Sequence, residues 1–424
     1  MRTTFLALTL ALTTSAFADY ASNYWFALLP PSPAANGRAG IFLGPEDADP
    51  FAAWANPGLL GLMAQTQNVS AGFYPNRTKW SPGEGGYWNL NQTFSARAVF
   101  AGLPISTTSV HEKWLPIGIS YTEQRFDEGE YHFYNAEGME FGTASDWYDV
   151  ARGLHVGLAT QNSLWRFGAG AGGTQLYSHL PWIEANELTY KDLSSIGIDA
   201  GLWLDNNAVA SANRLFKFSI PRSISLRPSL GFSFANAGPS ARFDSDSPQF
   251  PLPRMARVSM GLSAAYELER PDGKPLKFVS VDFAATSEDD LVKFDDEGDV
   301  SYQFPPGDIN PLRDVLFGKR NDELVQRHGF EIGFLEILTY SRGSFINDYQ
   351  RALTVKTEGW GASLRGVLNM VNLASHHKSL DWLARHVDLR YYQSEESVHS
   401  SSAAWDTHPR DGTTYKGFVL SYLR

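Results

Sequence analysis

The sequence predicts an all-β chain closed into an antiparallel transmembrane β-barrel of about 14 strands. Three observations lead there. Segment after segment alternates with a period of two, as half-buried strands do. One face of each segment carries large apolar side chains, and the other carries glycine, serine and alanine with an occasional charge. Beyond the extreme N-terminus, no uninterrupted apolar run reaches the ~18 residues that a membrane helix needs, so crossing is left to strands.

The chain opens with MRTTFLALTLALTTSAFADY, which places Arg2 before an apolar run from Phe5 to Leu12 and small residues at Ala16 and Ala18. This order reads as an export signal over residues 1–18, cleaved before Asp19. Residues 19–65 follow, before the strand pattern begins. Within them, FAAWANPGLLGLMAQ (51–65) is a helical run of small residues and leucines interrupted by Asn56, Pro57 and Gly58.

From 66 to 424 the pattern is that of a barrel wall. NQTFSARAVF sets Phe94, Ala96, Ala98 and Phe100 against Ser95 and Arg97, which assigns the first set to lipid and Arg97 to the lumen. PIGISYT sets Ile117, Ile119 and Tyr121 against Gly118, Ser120 and Thr122. GLHVGLATQ sets Leu154, Val156 and Leu158 against His155 and Gly157. SSIGIDAGLWL sets Ile196, Ile198, Leu202 and Leu204 against Ser195, Gly197, Asp199 and Gly201. RPSLGFSF, RVSMGLSAAYEL and YKGFVLSYLR continue the rule to the end of the chain. Small polar side chains suit a confined lumen and large apolar ones suit lipid. Closure leaves no strand edge to expose unpaired backbone groups to hydrocarbon. At roughly 25 residues per strand with its share of loop, the wall has room for about 14 strands.

Three proline- and glycine-rich loops, YPNRTKWSPGEGGYWN, AGPSARFDSDSPQFPLPR and SEDDLVKFDDEGDVSYQFPPGDINPLRD, are long and are expected to face outward. NPLRDVLFGKRNDELVQRH and NLASHHKSLDWLARHVD read as helical excursions packed on a rim.

Composition narrows the function. The formal charge of -11 and the lack of a lysine/arginine cluster argue against a nucleic-acid partner. With no cysteine, disulfides, thiol catalysis and thiolate-bound metals are excluded. Aromatic residues make up 13% of the chain, which suits rings at two water–lipid boundaries.

The motifs point away from an enzyme. GAGAGG (168–173) fits G-x-G-x-x-G, yet TQLYSHLPW after it is not helical, so the glycines are expected to let the plug approach the wall. The neighbouring His376 and His377 point about 100° apart on a helix and are poorly placed to share a metal ion. The acidic run around Asp289 and Asp290 lacks the ligand order of a calcium loop, and no G-x-S-x-G occurs. No catalytic residue, cofactor or metal site is expected. The polar residues assigned to the lumen are Arg97, His155, Asp199, Arg227, Glu267 and Glu331, either compensating one another across it or touching a passing substrate.

GRAGIFLGPEDADPFAAWANPGLLGL resembles the N-terminal signature of FadL-type outer-membrane barrels, a glycine-rich stretch leading to an Asn-Pro-Ala turn. LGFSFANAGPSARFDSDSPQFPLPRMARVSMGLSAAYE and KRNDELVQRHGFEIGFLEILTYSRGSF are similar to blocks of the PorV/PorQ family. Two departures stand out: Gly58 occupies the alanine position, and the chain ends in Arg424 rather than an aromatic residue. The resemblance implies an outer-membrane barrel of about 14 strands with residues 19–65 as an N-terminal hatch segment in its lumen and the WANPGLL segment as the plug. It also implies a non-enzymatic role in protein export of the type IX kind, binding cargo or other secretion subunits. Two further readings stay open: a FadL-like channel for hydrophobic small molecules, and a soluble secreted β-protein that binds carbohydrate.

Overall fold

The computed structural model describes residues 25–423, except 80–91, 107–113, 135–137, 163, 185–186, 218–219, 222, 243–249, 270–274, 295–299, 348–352, 376 and 400–410. The proposed export signal, the start of the hatch and His376 lie outside the described residues.

Strand formation follows the alternation. The wall consists of β1 (Gln67–Phe73), β2 (Thr93–Ser106), β3 (Trp114–Asp127), β4 (Tyr148–Gln161), β5 (Trp165–Glu184), β6 (Glu187–Asn206) and β7 (Ile224–Ala237). It continues with β8 (Met255–Glu269), β9 (Pro275–Asp290), β10 (Val325–Phe334), β11 (Leu338–Asn347), β12 (Leu353–Ser363), β13 (Val387–His399) and β14 (Thr414–Leu423). Each pairs antiparallel with its neighbours in chain order. The ring closes because β1 pairs on one side with β14, Phe73 opposite Phe418, and on the other with β2, Phe73 opposite Arg97. The two-residue strand Thr78–Lys79 adds to the top of β2.

Outward positions form the apolar belt that a bilayer requires: Leu154, Val156, Leu158, Ile196, Ile198, Leu202, Leu230, Leu262, Phe283 and Leu420 are all exposed. Aromatic rows mark both ends of the belt. Tyr148, His179 and Tyr190 stack at one end, and Trp165, Phe334, Trp360 and Tyr422 stand at the other. The short connections 162–164 and 335–337 lie at this second end, as do the first residue of β1 and the last of β14. By the rule that short turns face the periplasm, this end is periplasmic.

The two predicted helical excursions come out differently. The second is a helical pair at the periplasmic end, α4 (Leu364–Ser375) and α5 (Lys378–His386). The first is one π-helical turn, Pro311–Leu316, after which Val325 opens β10. Its Val315 and Leu324, with Leu291 and Ile309 before it, pack on Ala256 and Val258, so the described residues of 291–324 form a flap over the barrel exterior. Asp289, outward on β9, anchors that flap by accepting the Asp308 N–H at 2.6 Å.

The hatch fills the lumen. After a 3-10 turn at Trp25–Leu28 come α1 (Pro33–Asn36), α2 (Ala52–Ala55) and α3 (Leu59–Met63), all too short to stand alone and stabilised by the wall around them. Phe26, Phe51, Leu59, Leu60, Leu62 and Met63 are fully buried against inward-facing Phe94, Phe100 and Trp203.

One strand is turned over relative to the sequence reading. Phe94, Ala96, Ala98 and Phe100 are buried and face inward, and Arg97 is 68% exposed on the outer face, paired with Glu123 of β3 at 2.8 Å. The assignment of Arg97 to the lumen is therefore corrected. A lumen packed with a hatch and apolar chamber walls offers burial on the inside as well, so polarity alone does not fix which face of β2 is which.

Candidate functional site

The site is the contact between hatch and wall, and it has two kinds of surface. The second half of the hatch is seated on glycine. The Asn56-Pro57-Gly58 turn and α3 lie against Gly118, Gly157, Gly168, Gly170 and Gly201, each inward on a different part of β3–β6. A Cβ at Gly118 would run into the Leu60 carbonyl, one at Gly168 into the Gly58 carbonyl, and one at Gly170 into the Pro57 carbonyl. Backbone therefore meets backbone, an approach that only glycine permits. Asn56 is buried, and its Nδ2 donates to the wall carbonyl of Leu202 at 2.8 Å while its Oδ1 accepts from the Gly58 N–H at 2.9 Å. The carbonyls freed where α2 ends bond to the wall as well: Ala55 accepts the Ser233 hydroxyl at 2.6 Å and Trp54 accepts from Arg257.

The first half is clamped by charge. Arg38, fully buried, pairs through Nη2 with Asp47 and through Nη1 with Glu331 of β10, both at 2.8 Å, and its Nε donates to the Ile41 carbonyl. Wall arginines answer from the other side. Arg327 donates to the Ala39 carbonyl at 2.9 Å and Arg257 to the Trp54 carbonyl at 3.2 Å, with Glu288 bridging the two guanidinium groups. Arg166 holds Glu46 at 2.6 Å, and Arg390 donates to the Asp47 carbonyl at 2.8 Å. Thr357 donates to the Gly37 carbonyl and accepts the Ala39 N–H. Burial pushes the Asp49 carboxyl of the hatch up to about 6, against the Ser32 hydroxyl and Phe51 N–H that it accepts.

Of the sequence-assigned lumen residues, His155, Asp199, Arg227, Glu267 and Glu331 sit on inward positions. His155 Nε2 meets Asp199 Oδ2 at 2.8 Å, and both side chains are buried. Arg227 lies 3.8 Å from Asp205, and Glu267 stands at a register shift in β8. Only Glu331 touches the hatch through a described ion pair. The clamp residues Arg38, Arg166, Arg257, Arg327, Glu288 and Arg390 were not picked out, although Arg327 shares its parity with Gly329 and Glu331, a signal already present in the alternation. Among the described residues, no group of three or more His, Asp or Glu side chains is arranged to hold a metal ion.

No family model matches the chain, and neither does any curated protein. Among solved structures, it is similar to the toluene transporter TbuX of Ralstonia pickettii, at 11% identity and a TM-score of 0.41 over 93% of this chain and 97% of that one. It is also similar to a FadL homologue of Pseudomonas aeruginosa, at 11% identity and a TM-score of 0.39 over 92% and 97%. A third is the β domain of the Bordetella autotransporter BrkA, at 10% identity and a TM-score of 0.32 over 84% and 98%. At such scores the assignment rests on the strand pairing. A closed ring of alternating strands with an apolar outer belt, aromatic rows and a lumen filled from the N-terminus defines a transmembrane β-barrel of outer-membrane type.

Proposed function

We propose that this protein is a hatch-gated outer-membrane channel for hydrophobic small molecules. The observation that supports it is an apolar patch of the lumen wall, beside the charged groups that hold the hatch. Barrels that pass hydrated solutes have polar interiors. Here Phe94, Phe126, Leu176 and Leu193 of the wall, with Tyr74, Leu252 and Tyr415, are buried inside together with the hatch. Apolar walls leave an apolar solute without the desolvation cost that they impose on a polar one. The hatch stands in its path. Reconstituted in liposomes, the full chain is expected to admit an apolar dye faster than a hydrophilic one of equal size. Equal rates for both would remove the reading.

A second reading, a PorV/PorQ-type receptor for exported proteins, draws support from the exterior flap. Phe304, 90% exposed, stands on it with Leu312, Leu316 and Phe317, more apolar surface than a plain lid displays. Pull-down of secreted proteins on a tagged copy tests it, and recovering none with the flap intact counts against it.

A further inference from the structure

Above the hatch lies a cavity of about 20 Å³, room for about one water, between Ala27 and Trp54 of the hatch and Thr122, Gln124, Ala151, His155 and Asn236 of the wall. Its polar side is built across three strands. His155, Gly172 and Asp199 are register neighbours on β4, β5 and β6, and the glycine between them leaves the space through which the imidazole reaches the carboxylate. A Cβ at Gly172 or Gly153 would occupy the ring's place. Asp199 is held in turn: Oδ2 also accepts the Thr174 hydroxyl at 2.6 Å, and Oδ1 accepts the Asn236 N–H at 2.7 Å from the irregularity in β7. A carboxylate only accepts, so Nε2 carries the proton and a neutral His155 presents Nδ1 as an acceptor. That Nδ1 is buried without a partner, and so is Oε1 of Gln124. Both line the cavity.

Buried acceptors left bare are costly, and two of them facing one space call for a donor. We infer that the cavity is the recognition point for a hydroxyl group carried by an otherwise apolar solute, an alcohol or a phenol, with His155 Nδ1 and Gln124 Oε1 accepting its proton. Ala27, Trp54, Ala151 and Ala235 give the apolar body its contacts, and of the other polar groups of the lining Thr174 is engaged already with Asp199 and Arg257 with Glu288. Two lining residues belong to the hatch, so displacement of the hatch enlarges the space. The inference rests on the channel reading and names its substrate class. A site made to bond a hydroxyl discriminates strongly against the analogue that lacks it.

The test is a calorimetric titration of the full chain in detergent with phenol and with toluene, alongside liposome uptake of both. Phenol is expected to bind at least about tenfold more tightly than toluene. His155→Leu and Gln124→Leu should each erase that preference and leave toluene uptake in place. Where His155→Leu does not fold, Gln124→Leu carries the comparison, because it leaves the Asp199 cluster whole. Asp199→Asn gives a signature that a merely structural role would not: its amide donates to Nε2, Nδ1 becomes the N–H, and preference shifts from phenol toward acetophenone. Equal affinity for phenol and toluene with uptake intact overturns the hydroxyl site alone, a single trapped water then being its only occupant. Uptake of neither solute overturns the channel reading.

Discussion

The two halves of the hatch both rest on wall glycines and differ in how much charge holds them. Residues 33–48 are fixed by charge, with Arg38 between Asp47 and Glu331 and wall arginines on backbone carbonyls. Residues 50–64 are fixed chiefly by shape, with carbonyls of the hatch resting where glycines leave no side chain and Arg257 added on the Trp54 carbonyl. A buried ion pair adds little net stability over an apolar equivalent, yet losing one partner strands an uncompensated charge. The clamp therefore specifies position and is intolerant of single losses. The seat holds by close packing and is indifferent to salt.

The largest break in this comparison is expected from Arg38→Ala, which leaves Asp47 and Glu331 facing each other unpaired and should weaken seating by about 3–5 kcal/mol. Protease cleavage within residues 33–48 measures it, and combining Arg38→Met with Asp47→Asn and Glu331→Gln should restore most of the protection. A single variant as resistant as the parent would show that the clamp does not hold the hatch.

Gly118→Val comes next. The added side chain strikes the Leu60 carbonyl, an overpacking cost of about 1–3 kcal/mol. Its effect on protease resistance should be the same in low and high salt. Gly173→Val, whose Cβ meets nothing closer than 3.4 Å, is the expected neutral control. Equal damage from both would mean that strand propensity, not seating, is being measured.

Asn56→Ala removes the bond to the Leu202 carbonyl and should cost about 1 kcal/mol. It shows as a modest rise in cleavage after residue 50, without change in the clamp half.

A further effect is pH-linked. Asp49 sits at about 6 in the seated hatch, above its ordinary value of 3.8, so its contribution is fully present below about pH 4 and is lost as pH rises through 6. Asp49→Asn should flatten that part of the pH profile between 4 and 7 in the same protease assay. An unchanged profile would place the titration elsewhere.

Much of the wall was legible in the sequence because lipid demands large apolar side chains on alternate positions, and β3, β4, β6 and β14 obey. β2 was not, since Phe94 and Phe100 are buried inside the barrel just as they would be in lipid. The proline break marked an irregular N-terminal segment, and it was the resemblance of that block that made it a hatch. The clamp was not, because Arg38 and Glu331 are 293 residues apart and no local pattern ties them. The stretch from Asn310 reads as one long helix by periodicity, whereas its Val315 and Leu324 in fact serve the exterior of a wall formed by other strands.

The claim beneath all of this is that the N-terminal segment closes the lumen. Single-channel recording in a planar bilayer, comparing the full chain with a variant lacking residues 36–62, tests it directly. The intact protein should be closed and the deletion should open a steady pore. The same conductance from both, whether open or silent, would contradict it.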